Sequence, residues 1–255
     1  MGKIISVHSF RGGTGKSNVT ANLAALLARL GKRVGIVDTD IQSPGIHVLF
    51  NLSPERFRYA LNDYLWGKCR IEEAAYDVSG VLEGRRLKDA GSLHLIPGSM
   101  RTGEITRILR DGYDVGLLNS GFQELMERLE LTHLLIDTHP GVNEETLLSI
   151  AISDILLLIL RPDQQDYQGT AITVELARQL EVEQMFMLVN KAINPRDFTA
   201  LKQRVESTYH VPVLGVLPLS GDVAILGSGD IFALANPDHP VTSVLEAAAQ
   251  RIDAA

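Results

Sequence analysis

Short blocks of consecutive apolar residues alternate along the chain with longer stretches whose apolar residues return every three or four positions. The blocks predict strands over Lys3–Ser9, Arg33–Val37, Leu93–Ile96, His133–Ile136, Asp154–Leu160, Met185–Val189 and Val211–Leu217. The periodic stretches predict helices over Lys16–Leu30, Pro54–Leu65, Asn119–Glu130, Gln168–Leu180, Phe198–Tyr209 and Val241–Ile252. In the first helix Leu23, Leu26, Leu27 and Leu30 share a face, and Gly31 supplies the stop. In Asn119–Glu130, Phe122, Leu125, Met126 and Leu129 do the same. Ile155–Leu160 has no polar position, as expected of a central parallel strand covered on both faces. Strands alternating with helices predict an α/β fold: three layers, with a mostly parallel central sheet between helices.

Residues 41–91 break this rhythm. Gln42–Gly45 reads as a loop, Ile71–Ala75 as a helical turn, and Leu61, Tyr64, Leu65 and Trp66 as an apolar cluster. In Glu83–Asp89 acids interleave Arg85, Arg86 and Lys88, so a solvated loop is expected there rather than a phosphate or partner patch.

A chain of 255 residues with 45% hydrophobic and 22% charged residues fits one α/β domain spanning residues 1–255. The net charge of −7 does not point to nucleic acid. Cys69 is the single cysteine, which excludes an internal disulfide and fits a reduced, cytoplasmic setting. Residues 1–9 lack the regions of a signal peptide. Ile155–Leu160, the longest wholly apolar run, is far below the ~20 residues that span a bilayer.

The chemistry concentrates in Val7–Ala21, VHSFRGGTGKSNVTA. A strand ends there, a glycine-rich turn follows, and Lys-Ser opens a helix, which is the arrangement of a P-loop. Gly12, Gly13, Thr14, Gly15, Lys16, Ser17 and Asn18 would wrap a phosphate chain with backbone N–H groups and the helix N-terminus. Lys16 would bridge the β- and γ-phosphates and Ser17 would hold Mg²⁺. The usual first glycine is replaced by Phe10, and Arg11 follows. Two further strands end in acids: Asp38-Thr39-Asp40 and Asp137-Thr138-His139-Pro140-Gly141. Carboxylates at strand ends belong to the nucleotide edge of a parallel sheet.

Together these motifs resemble the ParA/MinD family of ATPases, whose deviant P-loop is written K-G-G-x-G-K-[ST]. Arg11 stands at that family's signature lysine, which crosses a dimer interface. The resemblance covers nearly the whole chain and is closer to MinD-like than to DNA-partitioning members. It implies ATP and Mg²⁺ as cofactors, an ATP-dependent homodimer and slow, partner-stimulated hydrolysis that drives a spatial switch acting on a cargo, an adaptor or an activator. It assigns Arg11, Lys16 and Asp40 to catalysis, with Asp40 orienting water. It assigns Ser17, Asp38 and Asp137 to the metal, Gly141 to sensing the γ-phosphate, Asn190 to the adenine edge, and Pro218 to the head of a base-binding loop, Leu219–Asp222. His139 is expected to be a loop residue without a chemical part. The final EAAAQRIDAA is not the basic amphipathic helix of MinD proteins, so direct membrane binding by that route is not expected. Iron–sulfur relatives need paired cysteines and tyrosine-kinase relatives a tyrosine-rich tail; neither is present. Two alternatives stay open: a nucleotide-gated interaction module with negligible hydrolysis, and a small-molecule kinase or ligase on the same fold.

Overall fold

The computed structural model describes residues 2–83, 91–193 and 197–255. Arg85, Arg86 and Lys88 lie outside the described residues. The strands are β1 (Lys3–His8), β2 (Arg33–Asp38), β3 (Tyr76–Asp77), β4 (Ser92–Ile96), β5 (His133–Asp137), β6 (Ile155–Leu160), β7 (Gln184–Ala192) and β8 (Val213–Pro218). The helices are α1 (Lys16–Arg29), α2 (Leu61–Leu65), α3 (Thr102–Asp111), α4 (Val115–Arg128), α5 (Glu144–Ala151), α6 (Gln164–Gln179), α7 (Phe198–Tyr209), α8 (Gly221–Leu226), α9 (Phe232–Ala235) and α10 (Pro240–Ala254). The strands form one sheet in the order β3-β4-β2-β5-β1-β6-β7-β8, and among the described residues only the β3–β4 pair is antiparallel. The mostly parallel α/β architecture expected from the apolar pattern is therefore present.

The period of two along each strand sorts side chains between the layers. On β6, Ile155, Leu157 and Ile159 pack under α1 and α10, whereas Leu156, Leu158 and Leu160 face α6 and α7. On β5, Leu135 joins the first layer, while Leu134 and Ile136 meet Phe122 and Leu125 of α4. Burial on both faces explains why these strands carry unbroken apolar runs.

Several elements differ from the pattern-based expectation. The helix expected over Pro54–Leu65 is a short 3₁₀ turn, Pro54–Arg56, followed by an extended stretch and then α2. The Tyr76 hydroxyl accepts from the Tyr59 N–H (3.0 Å) and donates to its carbonyl (2.7 Å), which satisfies that backbone outside a helix. Helices α4 and α6 begin four residues earlier than periodicity suggests. Asp114 caps α4 through the Gly116 N–H (2.9 Å), and Asp163 caps α6 through the Asp166 N–H (3.0 Å). Helices α3, α5, α8 and α9 and strand β3 were not legible from periodicity.

One helix contact bears directly on the P-loop. Gly169 lies on the inner face of α6, and a Cβ built there would fall 1.9 Å from the Phe10 ring. The aromatic residue that displaces the usual first glycine is thus accommodated by a second glycine across the interface. Gly169→Val is expected to destabilise the protein by about 1–3 kcal/mol through overpacking. Urea unfolding measures this, and adding Phe10→Ala should recover much of the loss.

Candidate nucleotide-binding site

The C-terminal ends of β1, β2 and β5 lie side by side, with Val7 and Asp38 both in register with Asp137. Their loops meet the start of α1. Gly13 and Gly15 have φ of +75° and +91°, which side-chain-bearing residues rarely adopt, and a Cβ at Gly15 would lie 2.5 Å from the Asn190 amide. That amide donates to the Thr14 carbonyl (2.8 Å), and Lys191 Nζ donates to the Gly13 carbonyl (2.7 Å). The phosphate loop is thus tethered to the end of β7. Gly12 and Gly13 are exposed, whereas Ser17 and Asn18 are half-buried on the first turn of α1.

The Lys16 ammonium is buried and pairs with Asp137 Oδ1 at 2.7 Å. Thr20 Oγ1 lies 3.2 Å from the same oxygen, and Asp137 Oδ2 is buried without a hydrogen-bond partner. Asp38 is fully buried, accepting from the Asp40 N–H (3.2 Å) and the Gly45 N–H (3.0 Å). Burial, reinforced by the neighbouring Asp137, pushes the Asp38 carboxyl up to about 8. His8 donates from Nδ1 to Thr138 Oγ1 (2.8 Å), since that hydroxyl gives its own proton to the Val7 carbonyl (3.0 Å). Burial, then the nearby Lys16 charge, holds the His8 ring down to about 3.

Asp40 and His139 meet across the β2 and β5 loops, with His139 Nδ1 2.7 Å from Asp40 Oδ1. Gly141, at φ +88°, donates its N–H to the Ser9 carbonyl (3.2 Å). Arg11 points the other way, toward α6: its guanidinium lies 3.3 Å from both Asp163 and Asp166 of its own chain, and Arg161 braces the same two acids.

A cavity of about 280 Å³ runs from Gly15 and Asn18 past Asn190 and Pro218 to Val223 and Phe232. Its mostly apolar wall, with a few polar groups at the Asn190 end, suits a flat heteroaromatic base. A more voluminous hollow of about 420 Å³ opens at the opposite edge of β1 and β6, around Ile4, Asp154 and Gln184, and none of the sequence motifs reaches it. Lys16, Ser17, Asp38, Asp40, Asp137 and Gly141 are therefore brought together at one sheet edge, with Asn190 and Pro218 beside them, while Arg11 is held at the rim. The His139–Asp40 contact was not anticipated. The signal available was a histidine inside the second strand-end acid motif, but no periodicity links residues 40 and 139.

The residues fit a magnesium nucleotide. Among the described residues no three His, Cys, Asp or Glu side chains cluster as a protein-built metal cage. Mg²⁺ needs no such cage, since it is usually held by one or two carboxylates, water and substrate phosphates. The orphaned Asp137 Oδ2 is a carboxylate oxygen of that kind.

This fold and site define a P-loop nucleotide-binding protein. The chain belongs to the CobQ/CobB/MinD/ParA nucleotide binding domain family, whose model matches residues 5–230. It is 28% identical over 253 residues to an uncharacterized ATP-binding protein of Methanocaldococcus jannaschii, covering 98% of this chain and 88% of that one. It is 25% identical over 260 residues to the antiactivator FleN of Pseudomonas aeruginosa, covering 98% and 86%. The structure of the septum site-determining protein MinD complexed with Mg-ADP from Pyrococcus horikoshii superposes with a TM-score of 0.79 at 20% identity, covering 99% and 96%.

The buried acid and histidine carry opposite pH signatures. Native Asp38 holds a proton up to about pH 8, against 3.8 ordinarily, so its contribution is complete below about pH 4 and is lost as pH rises toward 8. Native His8 refuses a proton down to about pH 3, against 6.5 ordinarily, so its contribution is complete above pH 6.5 and is lost as pH falls. In urea unfolding of nucleotide-free protein across pH, Asp38→Asn should flatten the upper slope and His8→Asn the lower one.

Proposed function

We propose that this chain is a Mg·ATP-dependent ATPase that dimerises on its nucleotide and works as a switch, positioning or regulating a partner protein or cargo. The observation that carries the reading is the buried Lys16–Asp137 pair at the mouth of the glycine loop. A buried ammonium needs a counter-anion, and a phosphate oxygen can replace the Asp137 carboxylate. That exchange leaves Lys16 on the β/γ-phosphates and frees Asp137 for the metal with Ser17, while Asp38 supports its shell. Bound Mg²⁺ would neutralise phosphate charge.

The remaining roles follow the same edge. Backbone N–H groups of residues 12–18 bind the phosphates, Asn190 and the loop after Pro218 bind the base, and Gly141 reports the γ-phosphate. Asp40 positions the attacking water. Arg11 supplies positive charge from the partner subunit, acting as an arginine finger once it leaves Asp163 and Asp166. Residues 1–255 act as one ATPase unit in the cytoplasm. The similarity to an antiactivator over 98% of this chain supports a regulatory partner, and the similarity to an ATP-binding protein supports the nucleotide.

Lys16→Ala should abolish ATP binding or turnover, measured by calorimetry and phosphate release. Arg11→Ala should keep monomer ATP binding yet lose ATP-dependent dimerisation and about 10³–10⁵ in hydrolysis rate. Mixing these two inactive variants should restore partial activity, because one composite site then holds an intact Lys16 and a partner's Arg11. An Arg11→Ala protein that dimerises and hydrolyses normally would refute trans action. A parent chain that binds ATP and dimerises with negligible turnover would favour the nucleotide-gated module.

A further inference from the structure

Asp40 sits in the loop after β2, and its Oδ1 accepts from the Ser43 N–H at 3.2 Å. His139 Nδ1 lies 2.7 Å from that same oxygen. An ionised carboxylate can only accept, so Nδ1 of the ring is the donor in this bond. The two side chains are only 22% and 14% exposed, which shields the bond from water. His139 itself stands on a braced backbone. Thr138 before it is tied to Val7 by its N–H (3.3 Å) and its hydroxyl (3.0 Å) and to His8 by the hydroxyl (2.8 Å). The His139 carbonyl accepts from Thr146 Oγ1 on α5 (3.3 Å). The ring therefore projects from a fixed strand end onto a carboxylate carried by a loop.

We propose that His139 is a positioning residue for Asp40. This rests on the reading of the site as an ATPase. By engaging Oδ1, the ring leaves Oδ2 to accept from the attacking water. In the step served, the water oxygen bonds to the γ-phosphorus while the bond to the β–γ bridging oxygen breaks. Its electron pair leaves with ADP, and the water proton passes to the product phosphate. Asp40 stays a carboxylate and supplies orientation. Gly141, two residues beyond His139, faces the P-loop strand through Ser9. The segment that meets the γ-phosphate and the carboxylate that holds the water are thereby joined by one side chain.

Three readouts test this on the full chain. In steady-state hydrolysis over a range of Mg·ATP concentrations, His139→Ala should lower kcat about ten- to a hundredfold, the scale of one charge-assisted hydrogen bond, with KM and ATP affinity unchanged. His139→Asn, whose amide N–H can replace Nδ1 but not Nε2, should recover to within a few fold of the parent. In nitrogen NMR of the nucleotide-free protein, the His139 ring should show the Nδ1–H tautomer and lose it in Asp40→Ala. A His139→Ala variant that keeps pace with an active parent overturns the inference alone, as does a His139→Asn variant as slow as His139→Ala, which would place the chemistry on Nε2. A parent that binds ATP without hydrolysing it overturns the ATPase reading and this inference with it.

Discussion

The buried pair of Lys16 and Asp137 is the constraint around which the other features are arranged. It joins the first residue of α1 to the last residue of β5, and both partners are nearly removed from solvent. Removing one partner of such a pair leaves a charge in a low-dielectric surround at a cost of about 3–5 kcal/mol. The pair therefore holds helix and strand in place. Asp38, one strand over, adapts to this arrangement: with a second carboxylate alongside and little water, it retains its proton to about pH 8. Protonation of Asp38 leaves this edge of the sheet with less negative charge at neutral pH than its acids imply.

The sequence made the architecture readable because burial on both faces of a parallel sheet leaves an unmistakable mark. Ile155–Leu160 could only be an inner strand, and Leu23–Leu27 only the covered face of a helix. The P-loop and the two strand-end acids were equally plain, since their chemistry is local. What periodicity concealed were short or partner-defined elements. Helix α5 is set by the Asn143 cap (2.8 Å to the Thr146 N–H), α3 buries Ile108 along a largely exposed length, and β3 is two residues paired to β4. The break after Pro54–Arg56 depends on a tyrosine hydroxyl seventeen positions away.

At the site, the same division held between local and distant information. Residues within one motif were legible, whereas contacts between motifs were not. Nothing in the string of letters places His139 against Asp40, Phe10 against Gly169, or Arg11 against Asp163 and Asp166. Each of these pairs joins residues from different strand–helix units. The last two also lie where this chain departs from the usual pattern, with an aromatic residue for a glycine and an arginine for a lysine. Departures at one position are answered by a residue far away in the chain.

The tether of Asn190 and Lys191 to the carbonyls of Thr14 and Gly13 links the base cavity to the phosphate loop. Linkage of this kind is reciprocal: whatever factor a seated base contributes to ordering the loop, seated phosphates return to the base. On the proposed function, the two ends of a nucleotide would then be read as one object. On that reading, a nucleoside or a pyrophosphate alone would forfeit that shared term and bind less tightly than its contact area suggests. Selectivity for the intact molecule would then come from covalent continuity in the ligand matched by hydrogen-bond continuity in the protein.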